Sequence, residues 1–314
     1  MATVSPAMPR PAIIQVAPCV YAVDLKPMGI QHFISSYVLV GHEVAIIDYG
    51  PPCSVPNLIE ALGALGIRPE AVRYILATHI HIDHAGGAAE LLDWAREAEL
   101  LVHPRGVKHM ADPSRLWEST KAVLGRLAEL YGRIRPVDKD RISAIKDGDE
   151  VSIAGGPTLQ VLETPGHASH HLSFFEPEKR MLFPGDSAGV YISPLDLLVP
   201  TTPFPFRLDL ALASLDRQTA LEPELVCYTH FGYSNQAVRR LRDYRAQLEL
   251  WADIIRANLG QPEERILELL AAKDPQVARA LELAERMPVL RGVLSHSITG
   301  MVRSFERFGC GGGS

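Results

Sequence analysis

Residues 77–87, with the sequence ATHIHIDHAGG, concentrate metal-binding side chains in a short segment. Four of them fall within six positions: His79, His81, Asp83 and His84. The alternation over 79–82 is typical of a half-buried strand, but Asp83 and the glycines that follow interrupt it. At a spacing of two residues, His79 and His81 project to the same side. Because imidazole and carboxylate groups suit zinc and related metals, the segment predicts a metal site, wide enough for two ions.

Three further polar residues occur where predicted strands give way to loops. They are His167 in ETPGHASHHLSF, Asp186 in LFPGDSAG and His230 in YTHFG. Each alone could be an ordinary hydrogen-bonded loop residue. In an α/β protein, however, ligand sites assemble at the carboxyl ends of strands. Together with the 79–84 segment, the three residues therefore predict a single site.

The elements that must position these residues alternate between strands and helices. We expect strands over 20–25, 34–40, 44–48, 72–79, 99–104, 158–167, 180–186 and 224–232, and helices over 56–66, 88–98, 114–131 and 208–221. From 236 to 308 the pattern is helical, with breaks at Gly260, Pro275, Pro288 and Gly292. This order predicts an α/β fold with a helical C-terminal appendage.

The same pattern predicts the domain organisation. Residues 1–235 form a catalytic domain with a helical insert at about 104–146, and residues 236–308 form a C-terminal helical region. The glycine-rich residues 309–314 are expected to be a flexible tail. Since 236–308 contains no candidate ligand, we expect it to contribute to the pocket rather than to the chemistry.

Composition limits the kinds of partner. A net charge of -6 offers no basic field for nucleic acid or an anionic membrane. The first residues lack the features of a secretory signal, and no apolar run approaches the ~20 residues that span a bilayer. The cysteines are far apart and unpatterned: Cys19, Cys53, Cys227 and Cys310. We therefore expect a cytoplasmic protein with a small-molecule substrate, and leave a homodimer open.

The ordered motifs resemble the metallo-β-lactamase superfamily, in a form close to glyoxalase II, lactonases and related phosphotriesterases. The resemblance covers roughly residues 20–234 and implies a four-layer αβ/βα sandwich with metals at one edge. It implies that metal 1 is held by His79, His81 and His167, and metal 2 by Asp83, His84 and His230. Asp186 would bridge both ions. Asp48 would fix the ligand loop without binding a metal.

Departures from relatives refine this expectation. Common zinc β-lactamases have cysteine at the position of Asp186, which argues against antibiotic hydrolysis. Flavodiiron proteins usually have glutamate at the position of His81 and carry a flavodoxin domain. Many relatives read GHTPGH where this chain reads GHASHH, so His170 replaces a glycine and its role is open. His171 matches the usual second histidine and is expected to pack and hydrogen-bond.

The expected chemistry is hydrolysis of a small neutral ester-like bond: a lactone, carboxylic ester or phosphotriester. The cofactors would be two divalent metal ions, preferably zinc, with iron, manganese or cobalt as alternatives. Two ions ~3.5–4 Å apart can share a hydroxide and act as Lewis acids. Asp83 would bind metal 2 and orient that bridging hydroxide.

The segment after Asp186 is expected to form the pocket. Tyr191 could donate a hydrogen bond to an oxyanion, and Phe204 and Phe206 could line the wall, although core packing is an equal alternative for each. An apolar wall would favour neutral substrates, since an anionic one needs a cation to offset its lost hydration. The helical insert could cover the same mouth or simply pack on the body.

Other functions remain open at this point. A glyoxalase II-like thioesterase is the nearest alternative, followed by an oxidoreductase resembling the mono-iron persulfide dioxygenases. A nuclease is disfavoured by the acidic balance. A binding module without catalysis is disfavoured by the complete ligand set.

Overall fold

The computed structural model describes residues 12–309, so the tail prediction for 310–314 and Cys310 lie outside the described residues. A seven-stranded sheet contains its strands in chain order: β1 (Ile13–Ala17), β2 (Val20–Asp24), β3 (Ser35–Val40), β4 (Val44–Ile47), β5 (Val72–Leu76), β6 (Glu99–Val102) and β7 (Ile142–Ala144). Neighbours are antiparallel from β1 to β4 and parallel from β4 to β7.

A six-stranded sheet packs against the first. Its strands are β8 (Glu150–Ser152), β9 (Thr158–Glu163), β10 (Leu172–Glu176), β11 (Met181–Phe183), β14 (Leu225–Tyr228) and β15 (Gly232–Ser234). Between β11 and β14 the chain forms a separate hairpin of β12 (Val190–Ile192) and β13 (Leu197–Val199). The order of the six-stranded sheet is β15-β14-β11-β10-β9-β8, and within it, over the described residues, β11 and β14 form the only parallel pair.

Helices cover the outer faces of the two sheets. They are α1 (Val55–Ala64), α2 (Ile82–Ala85), α3 (Ala88–Trp94), α4 (Pro104–Ala111), α5 (Ser114–Leu124), α6 (Arg126–Tyr131), α7 (Leu208–Ala220), α8 (Ala237–Ala257), α9 (Glu263–Lys273), α10 (Pro275–Leu283) and α11 (Val289–Phe308). The layers are therefore helix, sheet, sheet and helix, as the family resemblance implies.

Side-chain alternation along the strands builds this sandwich. On β3, Tyr37 and Leu39 face the core between the sheets, whereas Val38 faces the helices. A pleated strand turns successive side chains to opposite faces, so one strand serves both cores. The Tyr37 hydroxyl also donates hydrogen bonds to the carbonyls of Tyr228 and Gly232 in the other sheet. The two sheets are thereby held by apolar packing and by polar contacts at this edge.

Several predicted boundaries are wrong. The predicted helix 114–131 is two helices that meet at Gly125, whose φ of 54° and ψ of -125° are incompatible with a continuous helix. Gly292 does not break a helix, because α11 runs through it. Strand β10, which is buried along its whole length, was not predicted separately. Because both of its faces are buried, its sequence does not show the alternation of apolar and polar residues that identifies a half-buried strand.

The C-terminal helices pack on the segment that follows Asp186. The hydroxyl of Thr202 donates to the carbonyl of Ser297, and the hydroxyl of Ser297 donates to the carbonyl of Pro200. The backbone N–H of Phe206 donates to the hydroxyl of Ser304. Among residues 12–309, no helix combines the length and hydropathy needed to cross a membrane.

Candidate metal centre

The seven candidate ligands meet at one edge of the sandwich. His79 follows β5, His81 immediately precedes α2, Asp83 and His84 lie in α2, His167 lies between β9 and β10, Asp186 follows β11, and His230 lies between β14 and β15. Strand β5 ends at Leu76, earlier than predicted, so His79 lies in a loop. The backbone N–H of Thr78 donates to a carboxylate oxygen of Asp48 at 2.8 Å, which turns the chain towards the site.

Three imidazoles converge in the first half of the centre. The Nδ1 atom of His81 lies 2.9 Å from Nε2 of His79 and 3.0 Å from Nε2 of His167. His79 and His167 are buried, and His81 is partly buried. Three ring nitrogens this close form one face of a coordination sphere, which matches the set predicted for metal 1.

The second half contains carboxylates as well as imidazoles. Nε2 of His230 lies 3.6 Å from Oδ2 of Asp83 and 3.5 Å from Oδ1 of Asp186. Oδ1 of Asp186 is also 3.3 Å from Nε2 of His84, while its Oδ2 is 3.4 Å from Nε2 of His167. The two oxygens of Asp186 therefore face different halves of the centre. This is the position that a bridging carboxylate requires.

The charges fit cation binding. Burial and neighbouring imidazoles hold the pKa of His79 and that of His81 well below the ordinary value, which favours the neutral, ligating form. Burial alone would raise the pKa of Asp186, but His84, His230 and His167 lower it well below its usual range. Burial likewise opposes the charged form of His84, yet Asp186, Asp48 and Asp83 raise its pKa well above normal. Three carboxylates thus make the surroundings of His84 favourable for a positive charge, which a bound cation would supply in place of a ring proton.

Outer hydrogen bonds orient the ligands. Asp48 accepts from Nδ1 of His84 at 2.9 Å and from the hydroxyl of Thr229 at 2.6 Å, as well as from Thr78. An ionised carboxylate only accepts, so His84 donates through Nδ1 and keeps Nε2 as an acceptor for an ion. Asp48 also has a φ of 48°, a left-handed conformation that aims its carboxylate back at the loop.

Backbone carbonyls fix two further rings in the same way. Nδ1 of His167 donates to the carbonyl of Thr201 at 3.1 Å, and Nδ1 of His230 donates to the carbonyl of Phe33 at 3.3 Å. A carbonyl only accepts, which leaves Nε2 of each ring free to ligate. His171 differs, because its Nδ1 contacts the hydroxyl of Thr164 and its Nε2 accepts from the N–H of Asp186. His171 therefore positions Asp186, and both of its ring nitrogens are occupied.

Comparison with known proteins identifies the family. The family model of the metallo-beta-lactamase superfamily matches residues 29–230, nearly two thirds of the chain. The chain belongs to the metallo-beta-lactamase superfamily. It is a metallohydrolase of that superfamily, and its histidine and aspartate clusters are those of a metal-binding member.

Two known proteins illustrate the similarity of the sequence to others. A metallo-beta-lactamase fold-containing protein of Sulfurisphaera tokodaii is 32% identical over 68% of this chain and 80% of its own length. A hydroxyacylglutathione hydrolase of Cupriavidus taiwanensis is 29% identical over 86% of this chain and 91% of its own.

Solved structures share the fold. An archaeal superfamily protein from Sulfolobus tokodaii has a TM-score of 0.67 at 25% identity, covering 92% of this chain and 98% of its own. A metallo-beta-lactamase family protein from Thermus thermophilus has a TM-score of 0.68 at 22% identity, covering 94% of this chain and 95% of its own.

In this superfamily member, the aromatic residues predicted for the pocket have other contacts. The hydroxyl of Tyr191 donates to Asp196 at 2.9 Å, and the guanidinium of Arg240 lies 5.0 Å from its ring. Phe204 is covered by the guanidinium of Arg303 at 4.4 Å, and Phe206 is buried beside α11. The described contacts of Tyr191 include none of the seven ligands, so nothing supports its predicted oxyanion role.

The apolar residues that were expected to form the wall of the substrate pocket lie in the hydrophobic core instead. Four apolar side chains of the segment after Asp186, which the sequence predicts for that wall, are at most 3% exposed and belong to the hydrophobic core: Val190, Ile192, Leu197 and Leu198. They pair in the hairpin of β12 and β13. The expectation of a neutral substrate rested on this wall and therefore loses its support.

The helical insert reaches the ligand segment. Tyr131 of α6 is buried against Ile82, the residue before Asp83, and against Ile134. The predicted apolar face of the insert packs on this small cluster through Leu116, Trp117, Leu124 and Leu127. The insert thus supports α2 directly.

Sequence reasoning missed some residues of the centre. Thr78 and Thr229 both donate to Asp48, although threonines in loops give no distinctive pattern. The one feature of the sequence that could have indicated them is that Thr78 directly precedes His79 and Thr229 directly precedes His230. Sequence reasoning also missed the basic residues beside His170, which are described below.

Proposed function

We propose that this protein is a dinuclear metal-dependent hydrolase that cleaves an ester-like bond, with zinc as the preferred metal. The observation that carries the proposal is the position of Asp186, whose two oxygens face two separate groups of ligands. Three imidazoles form one group, and Asp83, His84 and His230 form the other. Seven ligands with a shared carboxylate suit two ions better than one.

The fit to metal ions rests on buried atoms without partners. Nε2 of His84 and Oδ1 of Asp186 are both buried and accept or donate no hydrogen bond among the described residues. Such groups normally have a partner. When bound, two ions would supply Lewis acidity and an activated water at this place.

Other roles in the reaction belong to the chain's own residues, which orient the attacking water and the imidazole ligands. Asp83 is the most exposed carboxylate of the centre, with 25% of its side chain accessible, so it can reach a water from the open side. Its carboxylate would accept the water's hydrogen bond and orient the attack on the substrate. Asp48 and the carbonyls of Thr201 and Phe33 hold the imidazoles in their ligating orientation.

A thioesterase is a second candidate. The hydroxyacylglutathione hydrolase of Cupriavidus taiwanensis matches 86% of this chain, and this similarity favours thioester cleavage. A thioester offers the same carbonyl oxygen to the centre and differs in its leaving group. The sulfur leaving group needs less stabilisation than an alkoxide.

A comparison of substrates tests both candidates. The measurement is kcat/KM for a neutral lactone, an aryl ester and a neutral phosphotriester against S-lactoylglutathione, with the metal-loaded enzyme and after chelation. The first proposal expects metal-dependent turnover of an oxygen ester. A large preference for the thioester would replace it by the second candidate, and turnover that survives chelation would exclude both.

A further inference from the structure

A groove with a volume of about 560 Å³ lies beside the metal centre, and basic residues line it. Its lining consists of Pro104, Arg105, Lys108, His109, Ser169 and His170. The first four belong to α4, and the last two belong to the loop that carries His167. None of the lining residues is acidic.

His170 connects the groove to the centre. Its ring is stacked on that of His79 at a centroid distance of 6.3 Å and lies 5.9 Å from the ring of His81. A molecule in the groove would thus contact a side chain that itself lies beside two of the ligating imidazoles. The buried Nδ1 of His170 has no hydrogen-bond partner among the described residues.

The two strong cations of the groove have no carboxylate partner in residues 12–309. Arg105 uses one guanidinium nitrogen to donate to the carbonyl of Ser169 at 3.0 Å, which holds the arginine across the groove. Lys108 makes no described ion pair. The nearby acidic groups are engaged elsewhere, since Glu163 contacts His103 at 3.3 Å and Asp112 accepts from Ser114.

We propose that this groove binds an anionic group of the substrate while the ester-like bond lies at the metal centre. The cations offset the hydration that an anion loses on binding, and no competing carboxylate lines the groove. Arg105 and Lys108 would act as specificity-determining residues rather than catalytic ones. His170 would present its ring edge to the substrate between the groove and His81. This inference rests on the proposed ester hydrolysis.

The experiment uses two probes that share the acyl chain and the leaving group and differ in the charge of the terminal carboxyl group. Mono-4-nitrophenyl glutarate carries a carboxylate at the end of its acyl chain, and methyl 4-nitrophenyl glutarate is its neutral counterpart. Because the leaving group is the same, the ratio of their kcat/KM values isolates the contribution of the anion. We expect the metal-loaded enzyme to prefer the anionic ester and the preference to fall as salt is added.

The double variant Arg105→Gln/Lys108→Gln removes the proposed subsite. It should lower the preference about tenfold, mainly through KM for the anionic ester, because a few exposed charged contacts each contribute a few-fold. The neutral ester should be hydrolysed as before. The matched control Arg73→Gln/Lys146→Gln removes the same charge from exposed positions outside the groove and should leave the preference intact.

The outcomes separate the two proposals. If neither ester is hydrolysed in a metal-dependent way, the proposed function fails. If both are hydrolysed but the preference is absent, or is equal in the wild type and the Arg105/Lys108 variant, the groove is not an anion subsite. An equal loss in the control variant would assign the effect to overall charge and would also overturn the inference.

Discussion

Nε2 of His84 and Oδ1 of Asp186 lie 3.3 Å apart in a buried site, yet neither atom makes a hydrogen bond within residues 12–309. His84 comes from α2 and Asp186 from the end of β11, so two distant segments bring complementary but unsatisfied groups together. Burying two polar atoms without hydrogen-bond partners lowers the stability of the fold unless a further bound group interacts with both. A metal ion between the two ligand groups would satisfy both atoms.

The first prediction concerns metal content. Protein purified without chelator should contain about two metal equivalents per chain, since seven ligands with one shared carboxylate can hold two ions. Elemental analysis measures this directly. Removing the metals should lower Tm, because an ion that binds only the folded state stabilises it. A content of one iron and no other metal would instead favour the persulfide dioxygenase-like alternative.

The second prediction concerns Asp83. Asp83→Asn should keep the fold but lower kcat by at least about a hundredfold, because an amide accepts the water's proton poorly. The variant's kcat and metal content should be measured together. His32→Ala is the comparison, since the His32 ring packs on Phe231 at 5.0 Å, and a smaller effect is expected. Wild-type turnover of Asp83→Asn with full metal content would show that Asp83 has no such role.

The third prediction concerns the support of His84. Asp48→Asn should weaken metal affinity about 10- to 100-fold, as losing a partner that orients a ligand commonly does. Competition with a chromogenic chelator gives the affinity. Asp24→Asn is a matched control, because Asp24 is also a buried aspartate at the carboxyl end of a strand but accepts from the N–H groups of Lys26 and His32. Equal affinity losses in both variants would argue against a specific role of Asp48.

The fourth prediction concerns the C-terminal helices. Trp251 of α8 is fully buried and donates from Nε1 to Asp274 at 2.9 Å. Trp251→Ala should lower the free energy of unfolding by about 3–5 kcal/mol, through the cavity and the lost packing. Urea unfolding measures this. Val123→Ala, at a position 55% exposed, should change it by less than about 0.5 kcal/mol. A similar effect of both substitutions would mean that α8 contributes little to the fold.

The sequence alone determined the composition of the centre. Residues 79–84 lie so close in the chain that their side chains must share one neighbourhood, whatever the rest of the fold does. Alternation on β3 likewise follows from the pleat, so Tyr37 and Leu39 could be assigned to one face. The order of strands and helices was also readable, because each element has its own hydrophobic period.

Only the tertiary structure decided which distant groups meet. The hydroxyl of Thr229 reaches Asp48 across 181 positions of the chain, and Arg105 reaches Ser169 across 64. Neither pair has a local signature, because such contacts depend on how the two sheets and α4 pack. The burial of Val190 in the core has the same origin. An apolar side chain can line a pocket or fill a core, and only the packing of α8 and α10 on its hairpin selects the core.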